Sequence, residues 1–267
     1  MLKGNLISAS AVLYFLWLWG MGIANAIPFG VDVTIWDQMG LRAGRCGGTH
    51  EDQEVEPGNK KWNNWQRRDL EGFLLNGSNL SIVAGFDFKN AHRRLRAGDI
   101  FIDVTGDARY GSDIQRSGWG RISRNSFGYD YVLDMNYAKM TYTVYELNRR
   151  SYTSLVSTPR NAVSNAWRFK KTPGDTAIAH GTIYYWEGLS DLEAGGFKGG
   201  KHYAATVDLS FLPMGSSFTS HFTTRLGIDN LMGKSSMPIP EPGTLMLVGT
   251  GLLVLAGVSR KKKLSRQ

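Results

Sequence analysis

Three stretches of the chain alternate apolar and polar positions with a period of two. Leu80, Ile82, Ala84, Phe86 and Phe88 fall on one side of such a pattern, with Ser81, Val83, Gly85 and Asp87 on the other. Tyr203, Ala205, Val207, Leu209 and Phe211 alternate with Ala204, Thr206, Asp208 and Ser210, and Phe218, Phe222 and Leu226 oppose Thr219, His221, Thr223 and Arg225. Successive side chains of a strand point to opposite faces, so the pattern predicts strands over residues 80–88, 203–212 and 217–226, each with one buried and one wet face. Pro213-Met214-Gly215-Ser216 separates the last two, and a short loop with Pro and Gly between alternating runs predicts a β-hairpin.

Further strands are expected at Ile100–Val104, Tyr129–Met135, Met140–Leu147 and Thr182–Glu187, which are rich in Tyr, Ile, Val, Thr and Trp. Turn residues punctuate them at Ala97-Gly98-Asp99, Thr105-Gly106-Asp107, Gly195-Gly196 and Gly199-Gly200. No long stretch has a clean helical period with caps. Short strands with Gly-rich turns predict an all-β body over residues 27–234. The expected fold is a single β-sandwich, jelly-roll-like, with long surface loops; a barrel is the alternative. Residues 41–71 are polar and charged and read as a surface excursion, and Ser157 to Asp175, with Pro159, Pro173 and Gly174, reads as a loop. Residues 235–239 read as a linker.

The two ends follow a different grammar. Lys3, an uncharged apolar run from Leu6 to Gly22, and Ala24-Asn25-Ala26 make residues 1–26 a secretory signal peptide, cut by signal peptidase after Ala26. An uncleaved N-terminal anchor is the other reading. At the far end Pro240-Glu241-Pro242 precedes an uncharged stretch from Gly243 to Ser259, and Arg260-Lys261-Lys262-Lys263 closes it. The basic cluster stays cytoplasmic by the positive-inside rule. The apolar core Thr244–Val258 spans about 22 Å as a transmembrane helix, against a hydrocarbon layer of about 30 Å. It suits a temporary hold better than a permanent anchor, although an ordinary single span with a basic stop-transfer flank has the same outline.

Pro-Glu-Pro, a short apolar helix and a terminal Arg/Lys cluster, in that order, resemble the PEP-CTERM sorting signal. The resemblance covers residues 240–267, and it implies a substrate of an exosortase-like processing enzyme in a Gram-negative bacterium that makes exopolysaccharide. The body would then be exported, held briefly at the inner membrane, cut near Pro240-Glu241-Pro242 and released to the cell surface or extracellular matrix. Gly98–Val104 and His202–Leu209 are also similar to strands of other PEP-CTERM surface proteins. The resemblance names a route and leaves the activity open.

Charge reinforces that division. The whole chain has 31 Lys+Arg and 23 Asp+Glu, a net +8. Setting aside Lys3 and the tail's Arg260, Lys261, Lys262, Lys263, Arg266 and Glu241 leaves 25 basic and 22 acidic residues, a net +3. The body is nearly balanced, and its charge does not argue for nucleic acid.

Candidate chemistry in the body is sparse. There is no Gly-x-Ser-x-Gly elbow, and His50-Glu51 is followed by Glu54 where a zincin needs its second His. The remaining histidines, His92, His180, His202 and His221, stand singly. Cys46, the one cysteine, lies beside Arg45 and reads as a free exported thiol or an intermolecular disulfide partner. Asp103-Val-Thr105-Gly-Asp107 starts like a calcium loop, but Ala108 and Ile114 stand where Gly and Glu are required, which leaves only a loose calcium site on Asp103 and Asp107 or an Asp-rich turn. Trp62-Asn63-Asn64-Trp65 pairs rings that can stack on sugars with amides that bond hydroxyls, so Trp62 and Trp65 are the candidate glycan-binding residues. These readings combine into a non-enzymatic exported surface or matrix protein without cofactor, in contact with exopolysaccharide. A secreted glycan-active hydrolase or lyase is the alternative, since paired carboxylates leave no mark in sequence.

Overall fold

The computed structural model describes residues 29–35, 66–91, 96–108, 122–125, 127–155, 166–225 and 230–239. Residues 1–26, read as a signal peptide, Cys46, His50, Trp62, Trp65, His92 and residues 240–267, read as a sorting tail with a transmembrane helix, lie outside the described residues. Among the described residues no helix is long and apolar enough to cross a membrane.

The strands in chain order are β1 (Val31–Asp32), β2 (Leu70–Asn76), β3 (Asn79–Ala84), β4 (Ile100–Asp103), β5 (Ile122–Arg124), β6 (Tyr131–Asn136), β7 (Thr141–Glu146), β8 (Tyr152–Leu155), β9 (Ala166–Lys170), β10 (Ala177–Thr182), β11 (Tyr184–Leu189), β12 (His202–Asp208), β13 (Ser217–Thr223) and β14 (Asn230–Ser236). The strands form antiparallel sheets, with one 3-10 turn at Gln66–Arg68. One sheet has the order β1-β2-β3-β12-β11, a second β10-β7-β6-β4-β13-β14, and a third, smaller one β5-β8-β9.

The first two sheets face each other across one core. Phe73, Leu75, Leu80, Ile82, Ala205 and Val207 from one meet Ile100, Ile102, Leu133, Val144, Phe218 and Phe222 from the other. Tyr142 Oη on β7 donates to the carbonyl of Asp208 at the end of β12, 3.0 Å away, a direct bond between the layers. One edge is closed by backbone. Beyond β1 the chain leaves β2 and pairs with β14: Ile35 N–H donates to Met232 O and Lys234 N–H to Val33 O. The body is thus an all-β sandwich with one laced edge.

The outer faces are covered as well. Phe101, Val132 and Tyr145 on the far side of the six-stranded sheet pack with Ala166 and Phe169 of β9. Leu74, Val83 and Ala204 on the far side of the five-stranded sheet pack with Phe29, Ala194 and Phe197. The expectation of one wet face per strand therefore fails at its centre: Ser81, Val83, Ala204, Thr206, His221 and Thr223 are all buried. Small and hydroxylated residues occupy these positions because a second layer lies over them, and Ser81 and Thr206 satisfy each other's hydroxyls at 2.6 Å.

The connections differ from those expected. β12 and β13 do not form a hairpin; they lie in different sheets, and residues 209–216 carry the chain across the sandwich. Leu209 and Leu212 bury themselves in that crossing, and the Pro213 turn pairs with the end of β14 through Gly215 N–H to Met237 O and Met237 N–H to Ser216 O. A Pro–Gly turn reverses the chain without choosing its neighbour, and here apolar anchors on the crossing decide. The jelly-roll connectivity gives way for a related reason. β2–β3, β6–β7, β11–β12 and β13–β14 are each neighbours within one sheet, whereas a jelly roll shuttles between sheets at most of its connections. The β2–β3 turn is the tightest of them, Gly77-Ser78, with Gly77 at φ 60°, a conformation glycine adopts without a Cβ clash.

Some boundaries also shift. Leu70 and Glu71, read as part of the polar excursion, belong to β2 and are buried. Ala166–Lys170, inside the stretch read as a loop, is β9. Residues 182–187, read as one strand, contain the crossing from β10 to β11 at buried Ile183. Ser235 and Ser236, read as linker, complete β14.

Candidate binding cleft

The β6–β7 hairpin, β9 and residues 88–91 and 96–97 line an open cleft of about 780 Å³. Its lining includes four basic residues, Lys89, Arg96, Lys139 and Arg168, and one acidic residue, Asp134. Asn136, Thr141 and Thr143 add amide and hydroxyl groups, and Tyr137 and Trp167 add rings.

The floor is built to hold β9 in place. Gly98 sits against two carbonyls, those of Thr223 and Trp167, each 2.5 Å from where a Cβ would stand, so no larger residue fits. Next to it Asp99 is fully buried. Its backbone N–H donates to Trp167 O at 2.9 Å, while Oδ1 accepts the Met135 N–H at 3.0 Å and Oδ2 the Phe169 N–H at 2.7 Å. One carboxyl thus ties the start of β4 to β6 and β9. The tie places Trp167 and Arg168 on the cleft wall. Trp167 Nε1 donates to Arg96 O at 3.2 Å, fixing the indole, and Arg168 Nε and Nη2 both donate to Ala97 O, at 3.3 and 2.9 Å. The Arg168 guanidinium lies 5.6 Å from the Trp167 ring centre.

Burial pushes the Asp99 carboxyl up to about 7 from its ordinary 3.8, and Asp134 adds to the rise, while Arg168 and the two N–H donors pull it down. An acid whose pKa is raised on folding keeps its proton longer in the folded state, so this group's contribution is undiminished below about pH 4 and declines as pH climbs to about 7. A rise of that size corresponds to about 4 kcal/mol. Asp99→Asn, which does not titrate, is expected to show a flatter stability–pH curve than the wild type over that window, measured by urea unfolding from pH 4 to 8. A parallel pair of curves would refute the assignment.

A second polar cluster lies on the five-stranded sheet. Glu71 sits at a bulge in β2, between Leu70 and Gly72, and a bulge re-aims the side chain it carries. Both of its oxygens lie 2.7 Å from His202 Nδ1 on β12, and His202 Nε2 lies 3.0 Å from Asp191 Oδ1. Gln66 Nε2 also donates to Glu71. His202 and Glu71 are buried, and Asp191 is partly exposed. Desolvation opposes a charged imidazole, but the carboxylates on both nitrogens outweigh it and raise the His202 pKa. Both ring nitrogens of His202 thus face carboxyl groups, an arrangement that favours the imidazolium, while burial favours the neutral form of Glu71. Neither nitrogen is left to act as a base, so this is a clamp joining the 190–200 loop to the sheet.

The residues singled out on sequence are dispersed. Asp103 accepts N–H bonds from Thr105, Gly106 and Ala108 at 3.0, 2.8 and 3.1 Å, and Thr105 Oγ1 donates to Asp107 at 2.9 Å. Their oxygens are engaged in an Asp-rich turn, and among the described residues no three His, Cys, Asp or Glu are grouped to hold a metal. His180 faces Thr143, and His221 stacks on Tyr129 with its Nε2–H on Ala166 O. The cleft residues Arg96, Lys139 and Arg168 were not legible as a group; the adjacent Trp167-Arg168 pair was their one visible trace.

Residues 238–261 match the PEP-CTERM protein-sorting motif. The chain carries the mark of a PEP-CTERM exosortase substrate: an exported protein, anchored transiently in a membrane before processing by exosortase-like machinery. No curated protein and no solved structure matches the chain.

Proposed function

We propose that the protein is a non-enzymatic component of the surface or extracellular matrix of a Gram-negative bacterium, and that it holds exopolysaccharide in the cleft beside β9. The observation that carries this reading is the cleft itself, where a fixed indole stands among amide, hydroxyl and cationic groups. A ring face with hydrogen-bonding groups around it is what a sugar ring needs, one side apolar and the rim polar. The sorting motif supports export, and the exopolysaccharide setting is what the resemblance to PEP-CTERM proteins implies. Signal peptidase removes residues 1–26 on this route. Trp62 and Trp65 remain candidate contacts from the polar excursion.

The test is retention of the full-length chain, in detergent, on the exopolysaccharide of its own host. Retention is expected, with Trp167→Ala weakening it, Trp62→Ala and Trp65→Ala reporting whether the excursion contributes, and no new reducing ends appearing in the polymer. Failure of the intact chain to bind would end the glycan reading; release of reducing ends or unsaturated products would make the protein a hydrolase or lyase.

A further inference from the structure

We infer that the cleft selects an acidic polysaccharide, one with carboxylates on its sugar rings; this rests on the glycan-binding reading above. The four cations of the lining face a single acid, Asp134, which Arg168 and Lys171 already offset. Lys89 is engaged with Glu187 at 3.8 Å and lies over the Tyr185 ring. Arg96 and Lys139 are exposed, and among the described residues neither side chain has an ion-pair partner. Arg168 spends Nε and Nη2 on Ala97 O, which orients the guanidinium, and the other N–H donors of its five are left for a ligand. A planar fork held in place by the backbone is suited to a carboxylate, which it grips bidentately.

The cation excess belongs to the cleft and not to the body as a whole, whose net charge is small. Trp167 stands beside the fork, partly exposed in the cleft lining, with its N–H committed to Arg96 O and so not free to bond a ligand. A uronate residue presents both complements, an apolar ring face and a carboxylate at its edge. A neutral glycan would offer no counter-charge to Arg96 and Lys139.

The experiment uses the full-length chain in detergent with polygalacturonate, dextran and duplex DNA as probes, at low and at moderate salt. Polygalacturonate is expected to bind about tenfold or more tightly than dextran. Arg96→Gln with Lys139→Gln, both exposed positions, should cost about tenfold in that binding. Lys198→Gln with Lys234→Gln, the same charge change outside the cleft, should leave it unaltered. Equal binding of dextran and polygalacturonate overturns the acidic selectivity while leaving the glycan reading standing. Binding of neither polymer overturns both. DNA held as tightly as polygalacturonate, or equal losses in the two double variants, overturns the inference in favour of unspecific attraction of polyanions.

Discussion

His202→Ala is expected to destabilise the body by about 3–5 kcal/mol, the effect of leaving a buried charge without its partner. His202 stands between Glu71 and Asp191 with its pKa raised by both, and Glu71 is almost wholly excluded from water. Without the ring, Glu71 retains, among the described residues, the Gln66 amide, and desolvation, already the largest influence on it, drives it to take up a proton. The loss extends beyond the pair. Asp191 accepts the Gly200 N–H at 2.8 Å as well as facing His202, so the loop that covers the outer core through Ala194 and Phe197 loses its anchor. The pH dependence has a definite sign. His202 has a folded pKa above its ordinary 6.5, so the clamp is complete below about pH 6.5 and weakens as pH rises through the raised value. His202→Gln, which can donate to one carboxylate, should be destabilised less than His202→Ala and should lack this alkaline loss. Urea unfolding of the three chains between pH 5 and 9 measures both. A His202→Ala body as stable as the wild type would mean that the triad is not ionic.

Much of the sandwich was legible because its strands alternate. β3, β4, β6, β7, β12 and β13 all lie where period-two runs or β-rich stretches predicted them. β2 was not, and the reason is the same bulge that makes the clamp: Leu70-Glu71-Gly72-Phe73-Leu74-Leu75 breaks the alternation and puts an acid among apolar residues buried on both faces. β9 was hidden by its setting, a five-residue strand inside a stretch of Pro, Asn and Gly. Strand pairing was less legible than strand position, because the partners of β12 and β13 depend on contacts more than a hundred residues away in sequence, such as Val207 opposite Leu80. The cleft was the least legible. Arg96, Lys139 and Arg168 are far apart in the chain, and the Asp99 tie, with the packing of Val132 and Tyr145 on Ala166 and Phe169, brings β6 and β9 together around them. The sorting motif, by contrast, was legible in the sequence. It is a local run of residues whose order along the chain is visible without the fold.

The second large effect falls on that route. Replacing Pro240-Glu241-Pro242 with Ala-Ala-Ala is expected to shift the protein from the surface fraction to the membrane by about tenfold or more. The match over residues 238–261 places these three residues at its start, ahead of the apolar run and the basic cluster. Proline restricts φ and biases the residue before it away from helix, so replacing both prolines removes the local constraint that sets this motif apart from the apolar run after it. Without it, the apolar run and Arg260-Lys261-Lys262-Lys263 still hold the chain, and the hold is no longer released. A variant in which Arg260, Lys261, Lys262 and Lys263 become Ser should fail earlier, by losing its stop at the membrane. Fractionation followed by immunoblotting of the host distinguishes the two.

The intact mass of the protein recovered from the cell surface tests the account most directly. The account predicts a chain that begins at Ile27 and lacks Arg260, Lys261, Lys262 and Lys263, ending near Pro240-Glu241-Pro242, with or without an added group. A surface protein that retains the basic tail, with the mass of the complete C-terminus, would contradict it.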